Sequence, residues 1–367
     1  MEHAWIAGQP AGIDAAIQEA AKLLALSRCA LVAGLGTDVA GARAAIGLAD
    51  RIGAIVDHVH ADIVLRDLEV MRSSGSFVTT STEARVRADV LLLIGPGFGD
   101  AWLELPPLFF AAPQPGEGGT PTARRIYCIC PAGNWQVPAS AVVVKGPQAE
   151  IPGLVAALRA RLADRPIGKT RVRSSTLDQV ASALKTARFG VAIWSASAID
   201  ALTIEMLGGL LDDLNATTRF SALPLPAAEN AIGVNQTCAW MTGLPVRSSF
   251  ARTLPEHDPW LFNSDRLVSE AEVDCIFWIS AYRAAAPPWR TKLPTVALTH
   301  RDANFDKPPS VHIAVGRPGF DHAGVEYRSA INTLAPVEAQ KPSGAISTAE
   351  VITRIIAALP ANSELAC

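Results

Sequence analysis

The densest run of chemistry-bearing side chains is Asp57-His58-Val59-His60-Ala61-Asp62. In an extended strand His58 and His60 fall on one face, where a neighbouring carboxylate can orient one imidazole. Two imidazoles fall short of the three or four converging ligands a metal site needs. Hydrogen-bonded histidines in a strand-end turn are the plainer account. Gly34, Gly36 and Gly41 lie between an apolar run and a helical pattern, where a phosphate-cradling loop would sit. A dinucleotide fingerprint sets its third glycine three residues after the second, and here it lies five residues on. An ordinary strand-to-helix turn is the simpler reading.

Cys128-Ile129-Cys130 points two thiols the same way, yet the flanking Ile126 and Tyr127 mark a core strand. No CxxC occurs among the six cysteines, so their spacing excludes a four-cysteine iron–sulfur site. Ser195 follows a strand without the G-x-S-x-G of a nucleophile elbow. Lys169, Arg171 and Arg173 read as a solvated basic linker, with a polyanionic ligand or an acidic partner surface as the sharper alternative. From Asn230 to Pro245 the chain mixes Asn, Gln, Trp, Gly and Pro. Amides in a loop at strand carboxyl ends can line a polar pocket, whereas an irregular connection with capped turns needs no ligand.

These residues must be carried by alternating strands and helices. Helical spacing marks Ile13–Leu26, Gly41–Ile52 and Glu150–Leu162, and apolar runs mark strands at Cys29–Gly34, Ala54–Val59, Val90–Ile94, Ile126–Cys130 and Ala141–Lys145. A second series follows: helix Ser174–Ala187 with Ser174 as N-cap, strand Phe189–Trp194, helix Ile199–Leu214 and strand Arg219–Leu223. Strands at Val273–Ser280, Thr295–Thr299 and Val311–Val315 and a helix at Thr348–Leu359 close the chain. Such alternation predicts parallel sheets covered by helices on both faces. The polar, basic Asp164–Arg173 reads as the domain boundary, so a Rossmann-like α/β domain over 1–165 and a second α/β domain over 166–367 are expected. The C-terminal segment is free to return to the first. Ala112–Thr122 reads as an exposed loop.

At 49% hydrophobic and 18% charged residues, with a mean hydropathy of +0.23, the chain has more apolar material than a lone soluble monomer needs. Subunit interfaces are where such an excess is buried. A net charge of −3 and a pI of 6.2 offer no basic field for nucleic acid. The longest apolar runs are strand-sized and the N-terminal residues form no signal peptide, so a cytoplasmic protein without membrane contact is expected.

Order and spacing along the chain resemble the B subunits of formylmethanofuran dehydrogenases, in the molybdopterin oxidoreductase superfamily. The likeness runs through Val32-Ala-Gly-Leu-Gly36 to Asp57, through Thr82–Pro96, and through Asn230–Pro245 with Phe250, Pro255 and Glu272-Val-Asp274. It ends on Gly324-Val-Glu-Tyr-Arg328. The resemblance implies two doubly wound parallel-sheet domains like those of formate dehydrogenase and DMSO reductase. Metal-bearing relatives place a cysteine cluster ahead of the first helix and a cysteine or selenocysteine followed by histidine after the strand matching Ala54–Asp57. Here the first cysteine is Cys29, inside a strand, and His58–Leu65 holds none. No soft ligand remains to bind and tune tungsten or molybdenum.

A B-type chain without redox parts is what bacterial formyltransferase/hydrolase complexes are expected to contain. The resemblance therefore implies a non-catalytic structural subunit that carries no cofactor or metal and has no catalytic residue of its own. Formyltransferase, amidohydrolase-like hydrolase and C subunits would be its partners, with the methanofuran-type carrier and the hydrolase metal held elsewhere. Such a complex turns formyl-tetrahydromethanopterin into formate. The alternatives are a catalytic tungsten- or molybdenum-pterin subunit and an independent nucleotide-dependent oxidoreductase. Gly95, Gly97, Asn230 and Asn235 are candidate remnants of the pterin-binding loops.

Overall fold

The computed structural model describes residues 3–95, 109–110, 124–130 and 138–361. The chain opens with β1 (Ala4–Ile6), β2 (Gln9–Pro10), α1 (Ile13–Leu26), β3 (Ala30–Gly36), α2 (Val39–Ile52) and β4 (Ile55–Val56). Ala16, Ile17, Ala20, Ala21 and Leu24 form the buried stripe of α1, at the spacing an amphipathic helix requires. Asp38 caps α2 and Gly53, at φ 69°, ends it in the left-handed conformation glycine favours.

Next come α3 (Ala61–Ser74), α4 (Ser81–Arg87), β5 (Val90–Ile94), β6 (Arg125–Ile129), β7 (Val142–Val144), α5 (Ile151–Leu162), α6 (Ser174–Lys185), β8 (Gly190–Trp194), α7 (Ala201–Asn215) and β9 (Phe220–Pro224). The remainder is α8 (Ala231–Thr242), β10 (Ser248–Ser249), β11 (Glu256–His257), α9 (Ser264–Ser269), β12 (Cys275–Ser280), β13 (Thr295–Thr299), β14 (Val311–Ala314), β15 (Gly324–Arg328), β16 (Thr333–Val337) and α10 (Thr348–Ala358). Strands β15 and β16 form a two-stranded ribbon.

Contacts divide the chain into two units: Met1–Ala61 with Ala228–Tyr327 and Leu334–Cys367, and Asp62–Ala227 with Arg328–Thr333. This corrects the boundary expected near residue 165. Strands β5 and β8, on either side of that point, pair directly, and β3 pairs with the distant β12, Ala30 facing Cys275. The polar run at 164–173 only links α5 to α6 within the second unit. Ser174 is not an N-cap either: Arg173 holds that position and makes no side-chain cap. The expected loop at 112–122 lies outside the described residues.

The first unit holds a nine-stranded sheet in the order β11-β10-β4-β3-β12-β13-β14-β1-β2. Its centre, β4 to β14, is parallel, and antiparallel strands close both edges. C-terminal α10 packs on α1 and α2 in this unit.

The second unit holds a fully parallel sheet in the doubly wound order β7-β6-β5-β8-β9. Along β5, Val90, Leu92 and Ile94 enter one apolar core while Leu91 and Leu93 enter another on the opposite face. Burial on both faces explains the uninterrupted apolar run.

Candidate functional site

In an open α/β sheet, ligands bind beyond the carboxyl ends of the strands, where the strand order reverses. In the first unit this point lies between β3 and β12, because β3 leads to β4 on one side while β12 leads to β13 on the other. Here β3 bulges. Ala33 pairs with Trp278 and Gly36 with Ser280, so Gly34 and Leu35, at φ 79° and 54°, face Ile279 alone. A bulge re-aims the chain that follows it. It delivers Asp38 to the start of α2, where its carboxylate accepts the Gly41 N–H at 2.9 Å. A Cβ on Gly41 would lie 2.1 Å from Thr37 Oγ1, so the space taken by the buried Thr37 side chain explains that glycine. The amide a pyrophosphate would use already meets the chain's own anion, and Gly34, Gly36 and Gly41 do not make a nucleotide loop.

Strand β4 stops at Val56, short of the expected Val59. Val59 N–H donates to Gly34 O and Ala61 N–H to His58 O, turning the chain into α3. His58 is buried, its Nε2 lies 3.1 Å from Glu229 O, and its Nδ1 accepts the His60 N–H at 2.9 Å. Those partners select the neutral imidazole protonated on Nε2. Burial first, and then the neighbouring His60, lowers its pKa to about 4.

The amino-acid sequence by itself does not single out the partner that completes this cluster. Glu229, its side chain 7% exposed, sets Oε1 3.5 Å from both His60 Nε2 and Arg283 Nε. Burial pushes its carboxyl up, but His60, His58 and Arg283 outweigh that and hold it below the ordinary glutamate range. Asn230 follows, donating to Thr37 O at 2.9 Å and accepting the Tyr327 N–H at 2.8 Å. Asn235 accepts the Val246 N–H and closes the turn beyond α8. Both amides serve the chain itself, and the stretch expected to be an irregular loop is a helix. Ala231, Val234 and Cys238 are buried along α8, which packs on α2, and Gly243 at φ 78° ends it. Tertiary packing overrides the weak helix propensity of its Asn, Thr and Val residues.

Asp57 completes the group. It is 1% exposed, accepts Arg247 Nε at 3.3 Å and caps α9 by accepting the Ser264 N–H at 2.9 Å. Burial, working against Arg247, raises its pKa to about 6.

In the second unit Gly95, at φ 104°, donates to Ile129 O at the carboxyl end of β5. Gly97 lies outside the described residues. Trp194 Nε1 donates to the half-buried Asp67, whose pKa desolvation raises to about 6. Ser195 Oγ bonds Ser197 Oγ at 2.7 Å. Cys128 sits in β6 and Cys130 just beyond it, with burial pushing the thiols up to about 12 and 11. Arg171 pairs with Glu150 at 3.0 Å.

In the first unit the described residues place no thiol beside the His58 cluster to serve as the soft ligand that the resemblance leads one to expect for a tungsten- or molybdenum-pterin centre. Cys275 opens β12 and Cys29 precedes β3, so both lie at the amino ends of the strands whose carboxyl ends carry the His58 cluster. Cys238 is buried within α8, its pKa raised to about 11. Among the described residues no group of three or more His, Cys, Asp or Glu converges as a metal site.

No family model matches the sequence. It is 33% identical over 360 residues to the B subunit of the formyltransferase/hydrolase complex Fhc of Methylorubrum extorquens, covering 96% of each chain. It is 24% identical to the B subunits of tungsten-containing formylmethanofuran dehydrogenase 2 from Methanococcus maripaludis and Methanocaldococcus jannaschii, over 94% of this chain and 82% of each relative. A chain in the crystal structure of the formyltransferase/hydrolase complex (FhcABCD) from Methylorubrum extorquens with methylofuran matches at a TM-score of 0.85 and 32% identity. That match spans 96% of this chain and 98% of the other.

Fold, site and relatives define a scaffold of the type found in the B subunits of formylmethanofuran dehydrogenases. The chain belongs to the family of the Fhc B subunit. Among the described residues no helix is long and apolar enough to cross a membrane.

Proposed function

We propose that this chain is a non-catalytic structural subunit of a cytoplasmic formyltransferase/hydrolase complex. The observation that carries the reading is the near full-length likeness, in sequence and in fold, to the Fhc B subunit. The complex converts formyl-tetrahydromethanopterin to formate through a methanofuran-type carrier, in one-carbon oxidation. Its formyltransferase and amidohydrolase-like hydrolase subunits perform the chemistry, and a C subunit completes it. The chain binds no cofactor of its own. Carrier and hydrolase metal belong to the partners.

The donor chemistry supports this role, since His58, Glu229 and Asn230 are each held by groups of the chain itself. The tungsten-containing relatives raise a second reading, a catalytic pterin subunit. Elemental analysis of the assembly isolated through this chain separates the two. Tungsten and molybdenum are expected far below one atom per chain. Stoichiometric amounts of either, retained through gel filtration, would overturn the structural reading.

A further inference from the structure

The carboxyl ends of parallel strands gather helix N-termini and free N–H groups, which makes this end of a sheet attract anions. In the first unit the anion found there is a side chain. The geometry points to the Glu229 carboxylate as a built-in ligand, on which the loops after β3, β4 and β12 close in place of a bound carboxylate or phosphate group.

Three observations carry this. First, each of the three strands contributes to the surroundings of that carboxylate: Gly36 from β3, His60 from beyond β4 and Arg283 from beyond β12. Gly36 is the close approach, since a Cβ there would lie 2.4 Å from Glu229 Oε2. Second, the backbone is held in an unfavourable conformation to reach this position. Glu229 and Asn230 are consecutive non-glycine residues at φ 57° and 58°. Such conformations persist only where surrounding contacts over-determine them. Asn230 supplies two of those contacts, through Thr37 O and Tyr327 N–H. Third, the fit is electrostatic more than it is directional. His60 Nε2 is buried without a hydrogen bond and stands 3.5 Å from Glu229 Oε1. That is the spacing of an ion pair or a loosely held anion, not of a short hydrogen bond.

This assignment goes beyond membership of a complex and stands or falls separately from it, because its test reads the chain's own amides. Glycine is favoured at positive φ. Were Glu229 an incidental side chain, Glu229→Gly would relax the backbone and protect the segment. As an internal ligand, its loss must loosen the loops despite that relaxation.

The measurement is hydrogen–deuterium exchange of peptides covering 34–41 and 228–233, in the full chain as isolated with its partners. Exchange in Glu229→Gly is expected to be about tenfold faster or more, the scale of a lost charge-assisted contact. Propionate, the fragment the substitution removes, is expected to slow it again, while chloride at equal ionic strength does not. Gly36→Ala is expected to accelerate the same peptides by displacing the carboxylate.

Glu229→Gln keeps the shape without the charge and is expected to fall between wild type and Glu229→Gly. Should Glu229→Gly fail to fold, this variant decides the matter. Exchange in Glu229→Gln equal to wild type would overturn the assignment. So would a Glu229→Gly variant protected as well as or better than wild type, or propionate and chloride acting alike.

Discussion

Replacing Arg247 by alanine is expected to destabilise the first unit by about 3–5 kcal/mol, the range for stripping one partner from a buried ion pair. Asp57 would then remain as an uncompensated carboxylate in a site that exposes 1% of its surface. The guanidinium also donates to Pro259 O at 2.8 Å, so the loop leading into α9 loosens with it. For a unit of this size the loss corresponds to a fall in melting temperature on the order of 10 °C.

The effect depends on pH, and its sign follows from Asp57. A carboxyl whose folded pKa is raised contributes stability below its unfolded value of 3.8 and loses it as pH rises through about 6. Without Arg247 the folded pKa climbs further. The variant's penalty is therefore largest near pH 8 and shrinks as the solution is acidified. Asp57→Asn in the Arg247→Ala background removes the stranded charge and keeps an acceptor for the Ser264 N–H. It is expected to recover at least half of the loss and to flatten the pH dependence. Thermal melts of the wild type and the two variants between pH 5 and 8 check this. A penalty independent of pH would contradict the assignment of the loss to the Asp57 charge.

Gly34→Ala is the second large effect. The residue combines φ 79° with an approach that leaves no volume: a Cβ would stand 2.4 Å from the backbone oxygen of Ile279 and 3.1 Å from the Trp278 ring. The left-handed conformation alone costs a non-glycine residue about 1–2 kcal/mol. Because the obstacle is backbone, relief requires shifting β3 against β12, which undoes the bulge that aims Asp38 and Gly36. A total above about 3 kcal/mol is expected.

Gly53→Ala is the control. It has nearly the same φ, 69°, but its Cβ would meet nothing closer than 3.6 Å. Its cost is expected near 1 kcal/mol. Chemical denaturation of the pair isolates the steric part, and equal losses would show that the bulge is not as tight as described.

Much of the fold is legible in the amino-acid sequence because its signals are local. Apolar runs buried on both faces mark β3, β5, β8 and β12 within about two residues, and helical spacing marks α1, α2 and α10. Three features escape for physical reasons. The division into units depends on pairing between β3 and β12, which no local pattern records. Helix α8 contains Asn235, Thr237 and Thr242, poor helix formers that its packing on α2 compensates. Helix α3 follows a turn set by the backbone bonds from Val59 and Ala61.

The candidate site is half visible in the same way. Asp57, His58 and His60 stand together in the chain, and Asn230 is conspicuous. Their counterparts Glu229, Arg247 and Arg283 come from distant loops. The one local hint is the acidic residue immediately before Asn230.

The structural role is tested most directly by native mass spectrometry of the assembly isolated from the native host through a tag on this chain. The expected result is a fixed-stoichiometry complex whose masses match this chain with a formyltransferase, an amidohydrolase-like hydrolase and a C subunit. A stable monomer, free of those partners under the same conditions, would contradict it.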